Sequence, residues 1–476
     1  ANSGLQFQAV GEKTFALAQA APAPAAAPQP AVAVPKSDVQ KPAEPPAQVV
    51  PKGDQTAEVR REEIVVTGSR LRGASDGGPA PVTTLSREQI DQLGVTSTAD
   101  LLGYLPQQSF GFQQNTFASA QAVQLRGLGL GTTLVLINGR RVVTSALQGA
   151  RNFFDLNTIP LAAVERVEVL TNSASAVYGA DAIGGVINII LKQHVDRPTV
   201  GVYVGAADGG DEERRATISL GGNGQRFRGI LTLDAFDQTS LLVSERDRYA
   251  NQDFRRFGSV DRRALFANPG NISSSTSANL PGLPSRTAAV PEGSTGVGLT
   301  PASFIETAGQ SNLESTARYY AIMPDVTRYS AIASAEAKLG NALDLFGEVM
   351  FVDGETTSPS TPPILAAKTV PATNAFNPFG VPVVVNYLLT GAGPSRDEYE
   401  ASTLRWTTGL KGDAGTGWDW ELSVLGIDED STGRTLNGLD GARVDAALAS
   451  SDPALALNVF QDGPGGTESL LRSLVA

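Results

Sequence analysis

The chain contains no cysteine and a single histidine, His194. Without thiols there are no disulfides, no thiolate metal sites and no cysteine nucleophile. One imidazole leaves little basis for a histidine-built zinc site or for Ser-His-Asp catalysis. Basic residues are outnumbered, 37 against 49 acids, and the net charge is −12. Phosphate repels such a chain, and no Lys/Arg block offsets that, so nucleic acid is not an expected partner. No run of about 18 apolar residues occurs, so no transmembrane helix is expected. That absence leaves membrane strands open, because a β-barrel crosses with segments of about ten residues whose outer face alone is apolar. No nucleophile–base pair or dense ligand cluster stands out, so no catalytic residue, metal site or cofactor is expected, and the chain does not read as an enzyme.

What is present falls into five segments. Residues 1–19 read as two short strands, Leu5–Val10 and Thr14–Leu17, around a Gly-Glu-Lys turn. A hairpin this small is marginal alone, so it is expected to be the remnant of a domain whose start is missing. Residues 20–57 are rich in Ala and Pro; proline at that density favours polyproline II, and the segment could extend to roughly 100 Å. Residues 58–73, EVRREEIVVTGSRLRG, hold the β-branched run Ile64-Val65-Val66-Thr67 with Glu63 before it and Gly68 after. That run reads as a strand with nothing nearby to pair with, and a lone strand leaves its own backbone groups unsatisfied.

Residues 74–197 read as a compact α/β segment. Ser86, with Gln89 three residues on, forms a capping box, and a second helix starts at Thr96 or Ser97 and stops before Pro106. Strands are expected at Ala122–Arg126, Thr133–Ile137, Arg141–Val143, Val164–Leu170 and Gly185–Leu191, with Asn138-Gly139 as a hairpin turn. The glycines of RGLGLGTT have the spacing G-x-G-x-G, not the dinucleotide fingerprint, and read as turn-forming. Arg126 could pair with a carboxylate such as Glu165 or Glu168, and Tyr178 reads as a packing residue.

From about residue 198 the pattern has period two. Leu404, Trp406, Thr408 and Leu410 alternate with Arg405, Thr407, Gly409 and Lys411, and Phe227–Ala235, Tyr329–Leu339, Leu343–Val352 and Trp418–Val424 behave alike. Each is a strand with one apolar and one wet face. Connections alternate between a few residues and long polar stretches, about 248–327 and 359–400. Short turns at one end and long loops at the other describe an outer-membrane barrel. A soluble β-sandwich also alternates, though loops of about 80 residues are rare there. Seven or so strands do not close around so large an insert, since a plugged lumen needs about 22, so truncation at the C-terminus is expected too.

Two stretches resemble a known family. VQLRGLGLGTTLVLINGRRV (Val123–Val142) and FDLNTIPLAAVERVEVLTNSASAVYGADAIGGVINIILK (Phe154–Lys192) are similar to the plug of TonB-dependent outer-membrane receptors. EEIVVTGSR resembles the TonB box, and SGLQFQAVGEKTFAL resembles the tail of the periplasmic domain shared by secretins and TonB-dependent transducers. Thr171-Asn172-Ser173 stands where many members have Arg-Gly-Pro, a departure that leaves the substrate open.

The resemblance implies a mainly β fold, an α/β plug inside a transmembrane antiparallel β-barrel of about 22 strands, lying in the outer membrane of a Gram-negative bacterium. The plug and N-terminus would face the periplasm. Residues 198–476 would be the N-terminal part of that barrel. It further implies energy-coupled uptake of a scarce bulky solute, a siderophore, oligosaccharide or similar, or alternatively signalling of occupancy to an inner-membrane anti-sigma factor. Partners would be TonB with its energising complex, outer-membrane lipid and the solute. Glu63, Ile64, Val65, Val66, Thr67 and Gly68 would pair with TonB by strand addition. Arg126, Gly127, Asn138, Gly139, Glu165, Arg166, Glu168, Tyr178, Gly179, Gly184 and Gly185 carry the plug motifs, whose Arg and Glu residues would form ion pairs locking the plug to the barrel wall. Phe110, Phe112, Phe153 and Phe154 are the candidate solute contacts at the plug apices.

Overall fold

In a computed structural model, residues 5–11, 14–19, 82–108, 121–144, 153–171, 175–340, 342–415 and 418–475 are described. The Ala/Pro linker and the 63–68 strand lie outside them, as do Phe110 and Phe112. The N-terminal unit contributes one antiparallel hairpin, β1 (Leu5–Gly11) with β2 (Thr14–Gln19).

The second unit begins with β3 (Val82–Leu85), α1 (Arg87–Leu93) and α2 (Thr98–Gly103). The Ser86–Gln89 capping box forms as the spacing predicts, and Ser97 caps α2. Then come β4 (Thr133–Ile137), β5 (Arg140–Arg141), β6 (Val164–Leu170), α3 (Ser175–Tyr178) and β7 (Gly185–Leu191). The strands form one sheet in the order β3-β6-β7-β4-β5, with β4 and β7 parallel. GVINIIL becomes the central strand because it is apolar on both faces, and all seven of its residues are buried. Val164, Val167 and Val169 of β6 turn inward while Glu165 stays exposed. With α1 and α2 they enclose a core that includes Ile90, Leu101, Leu102 and Ile187. Ala122–Arg126, expected as a strand, makes only an isolated bridge from Leu125 to Gln108. Arg126 there has φ 60°, which breaks an extended run.

The chain then builds a wall. Strands β8 (Thr199–Ala206), β9 (Glu212–Asn223) and β10 (Phe227–Gln238) are joined by short turns. It leaves through β11 (Leu241–Leu242), β12 (Asn271–Ser274), β13 (Thr287–Ala289) and β14 (Ala321–Met323). It returns as β15 (Asp325–Lys338) and β16 (Leu343–Pro359), leaves again as β17 (Ile364–Val370) and β18 (Val383–Leu388), and returns as β19 (Arg396–Asp413) and β20 (Asp419–Leu436). The wall is one antiparallel sheet ordered β20-β19-β16-β15-β10-β9-β8.

Its polarity is the reverse of a soluble protein's. On β19, Thr403, Arg405 and Thr407 are buried, whereas Leu404 and Trp406 are exposed. On β10, Thr232 and Asp234 are buried and Leu231 and Leu233 exposed. The polar set faces the β3–β7 sheet, and Ile332, Met350 and Val352 of the wall join its core. The apolar set faces outward, as a lipid-facing barrel wall requires.

The long connections are not the loose polar stretches their composition suggests. Together with α4 (Gly441–Ala449) and α5 (Glu468–Leu474) they fold into a cap around the sheet β13-β12-β18-β17. Its core includes Ile272, Phe304, Val385, Tyr387, Leu389, Leu448 and Phe460, all at most 1% exposed. Asparagine side chains satisfy the irregular backbone. Asn268 Nδ2 donates to the Leu388 and Gly463 carbonyls, at 3.1 and 2.6 Å, and its Oδ1 accepts from Gly463 N–H. Buried Asn374 donates to the carbonyls of Leu448 and Leu457.

Candidate functional site

The β4–β5 turn reaches the wall. Asn138 (φ 50°) and Gly139 (φ 75°) both take left-handed backbone, the geometry of the tight hairpin turn that Asn-Gly favours. Asn138 Oδ1 accepts from Leu191 N–H at 2.9 Å, which fixes the side chain against β7. Its Nδ2 donates to Glu348 on β16. Glu348 also accepts from Arg405 of β19. The Arg405 side chain is 1% exposed and that of Glu348 is 7% exposed, so this contact between the turn and the wall is anchored on a buried ion pair. Two residues on, Arg140 pairs with Glu421 of β20 at 2.5 Å and lies over the Phe346 ring at 5.0 Å. That second contact is half open to solvent.

Behind the turn runs a polar chain inside the β3–β7 sheet. Gly139 N–H donates to Asn188 Oδ1 at 2.9 Å, Asn188 Nδ2 donates to Glu168 at 3.2 Å, and Arg166 pairs with Glu168 at 2.9 Å. Glu168 is 2% exposed and Asn188 1%. Burying such groups is tolerable because each meets a partner.

Arg126 behaves differently from its expected role. Its guanidinium donates to the backbone carbonyls of Gly184, Thr171 and Ile183. It therefore staples the loop before β7, while Glu168 is held by Arg166 and Glu165 points to solvent. Gly127 (φ 67°) supplies the turn beside it. At Gly185 a side chain would sit 2.7 Å from Leu170 O, and at Gly184 2.9 Å from Thr132 O, so both glycines permit close approach of backbone. Tyr178 packs on the cluster containing Leu134, Leu170 and Val186, with its carbonyl accepting from Arg141, and Gly179 (φ 84°) ends α3.

Two clefts open between this segment and the wall. One is lined by Val142, Val143, Phe154, Met350 and Arg405. The other is polar, with Asp100, Gln121 and Asn157 facing Arg215, Gln238 and Arg328. In it Arg215 and Arg328 stand 4.6 and 5.9 Å from the Phe236 ring. Asp155, which caps the turn between the clefts, has its carboxyl pushed above the usual range by burial, opposed by the nearby Arg328. Of the aromatics read as solute-facing, Phe153 is buried at 5% exposure and belongs to the packing, whereas Phe154 lines the first cleft.

Arg140, Glu348, Arg405 and Glu421 were not singled out from the sequence. The available signal was an isolated charge among the polar positions of a wall strand; the partner lies 57 residues away for Glu348 and Arg405, and 281 for Arg140 and Glu421.

The comparisons with known proteins bear on this arrangement directly. Residues 75–186 match the TonB-dependent receptor plug domain family. That segment belongs to the plug family. The chain carries that plug and, among the described residues, a seven-stranded antiparallel wall. The chain is 32% identical over 178 residues to the vitamin B12 transporter BtuB of Photobacterium profundum, a match covering 37% of this chain and 28% of that protein. It is similar in structure to the ferric preacinetobactin receptor BauA of Acinetobacter baumannii (12% identity, 76% of this chain, 49% of that one, TM-score 0.39). The siderophore receptor PirA of Pseudomonas aeruginosa is another such neighbour (15% identity, 74% and 50%, TM-score 0.33). The chain thus spans about half the length of these neighbours. In this chain the plug domain is held to the wall by the turn that contains Asn138 and Arg140.

Proposed function

We propose that the intact protein imports a scarce, bulky, polar solute across the outer membrane, using force that TonB transmits to the plug. The observation that carries this reading is the plug's docking: a domain fills the inner, polar face of a lipid-facing wall and is held there by a few polar contacts. A closed path of that kind needs work to open, and the outer membrane has no nucleotide supply. Glu63–Gly68 is then the point of attachment. Its backbone adds as a strand to the periplasmic domain of TonB, with the N-terminus and plug on the periplasmic side and the long-loop cap outside. The polar cleft, with amide, carboxylate and guanidinium groups around Phe236, suits a solute rich in hydroxyl or chelating oxygens, such as an oligosaccharide or a metal chelate. Phe154 at the other cleft is the candidate apolar contact.

The test is binding of a Glu58–Gly73 peptide to purified TonB periplasmic domain, with Val65→Pro beside it. Proline removes a backbone donor, so binding should be lost in the variant. Equal binding by both peptides would defeat strand addition at Val65, and binding by neither would remove the box. A second reading, signalling to an anti-sigma factor, is favoured by the β1–β2 hairpin. Retention of the anti-sigma factor's periplasmic domain by residues 1–57 would support it, and its failure to bind would exclude it.

A further inference from the structure

The segment 243–263, VSERDRYANQDFRRFGSVDRR, is a charge anomaly. It holds six arginines against four acids in a chain of net charge −12. Most of that charge is accounted for internally. Asp253, Arg255, Asp261 and Arg263 form a closed network with contacts of 2.6, 2.8, 3.3 and 3.9 Å. Arg246 donates to the Asp208 carbonyl in the β8–β9 turn. That bond seats the lobe on the wall's rim, directly above β8, whose outward Val200, Val202 and Val204 are more than 70% exposed.

Three guanidiniums remain. Among the described residues, Arg248, Arg256 and Arg262 have no carboxylate within the 4.0 Å of an ion pair. Arg248 and Arg256 lie 5.3 and 4.6 Å from the centroid of Phe257, which is 48% exposed. Arg256 also donates to the Asp247 carbonyl at 2.8 Å. Stacking on a ring fixes a guanidinium's plane while leaving N–H donors free at its edge. Two cations held beside one ring repel one another, and an anion between them relieves that repulsion.

We propose that this rim lobe binds the phosphorylated headgroups of lipid in the outer leaflet, through Arg248, Arg256 and Arg262. Membrane headgroups are the occupant because the lobe stands on the edge of the lipid-facing strands rather than in the clefts, whose lining residues do not include it. The proposal rests on the orientation given above, with the long-loop end outside.

Two measurements separate the proposal from that orientation. In whole cells, a membrane-impermeant maleimide should label Ser259→Cys in a chain that has no other cysteine. No labelling would overturn the orientation and the proposal with it. With labelling established, detergent-solubilised receptor is titrated with lipid A, with lipid A stripped of phosphate, and with inorganic phosphate. Wild type should bind lipid A, and the triple variant R248S/R256S/R262S should bind about tenfold more weakly, the effect shrinking in high salt. The triple lysine variant should keep most of the binding, which shows that loss in the serine variant is not misfolding. Equal binding by the serine variant would overturn the proposal alone, as would equal binding of phosphate-free lipid. Displacement of lipid A by an equal concentration of inorganic phosphate would mean a free-anion site instead.

Discussion

The turn at 138–140 makes two contacts with the wall, and physical reasoning ranks them against their formal charge. Arg140–Glu421 is a full ion pair, yet its side chains are 21% and 44% exposed. Exposed pairs contribute about 0.2–1 kcal/mol, and the Phe346 stack adds about 0.5–1 kcal/mol. Asn138 carries no charge, but its partner Glu348 is buried, and a hydrogen bond to a buried carboxylate is worth about 1.5–3 kcal/mol. Removing the side chain also leaves Leu191 N–H without its partner, a further cost of about 1–3 kcal/mol. Asn138→Gly keeps the left-handed backbone permissible, so strain does not enter. The docked plug should therefore lose about 3–5 kcal/mol of stability against unfolding in Asn138→Gly and about 1–2 kcal/mol in Arg140→Ala. The assay is urea titration of receptor in detergent with an environment-sensitive dye on Thr144→Cys, an exposed position near the clefts. At a slope of about 1–3 kcal/mol per molar urea, the Asn138 variant should lose its midpoint by one molar or more. If Arg140→Ala lowers the midpoint as far as Asn138→Gly, burial is not what decides the strength of this docking and the ranking is wrong.

Three further outcomes are expected. Asn268→Ala should open the cap to trypsin, because it removes an amide that donates to the Leu388 carbonyl and both donates to and accepts from the Gly463 backbone; the plug midpoint should not move, and a parallel fall in both would mean cap and plug unfold together. The Asp253 and Asp261 carboxyls are held below the usual carboxylate range by hydrogen bonds from Arg255 and Arg263. Their contribution is therefore complete above about pH 4 and lost only on further acidification, so hydrogen-exchange protection across 243–263, taken relative to the intrinsic rate at each pH, should stay flat from neutral pH to about 5 and fall below 4; a fall starting near pH 6 would contradict this. Val82 and Leu170 face each other across β3 and β6. Oxidising a Val82→Cys/Leu170→Cys pair should abolish the first rupture when the receptor is pulled from its N-terminus, and reductant should restore it; an unchanged first rupture would show that force enters elsewhere.

Much of this was legible in the sequence for one physical reason: a wall between lipid and a polar lumen imposes strict period-two alternation, and alternation survives in composition. Leu343–Val352 was readable only in part, since the strand continues to Pro359. Past Val352 it runs on through Asp-Gly-Glu-Thr-Thr, where neither face is apolar and the pattern goes silent. The Asn-Gly turn was legible because only a few residue types tolerate left-handed backbone. The cap was not, because its core draws single apolar residues from three separated connections, and asparagine amides stand in for the ladders that would have left a period. Arg126 misled for a related reason. A guanidinium in a sequence suggests a carboxylate, whereas here it serves backbone carbonyls that every residue carries.

The plug's strand order gives the docking turn a particular mechanical position. Among the described residues, the chain enters the plug sheet at β3, an edge strand whose only neighbour there is β6, over four residue pairs. The turn that meets the wall belongs to β4 and β5, at the opposite edge. Force arriving along the N-terminal segment therefore reaches β3 first and must cross β6 and β7 before it loads Asn138. An edge strand pulled from its end gives way a few hydrogen bonds at a time, while the β4–β7 pair and the buried Glu348–Arg405 support share load in parallel. Under the proposed pull, a plug built in this order should yield first next to its tether and keep its hold on the wall. Such an arrangement lets a path open without the domain leaving the barrel, and lets β3 re-pair with β6 against a core that never lost its footing.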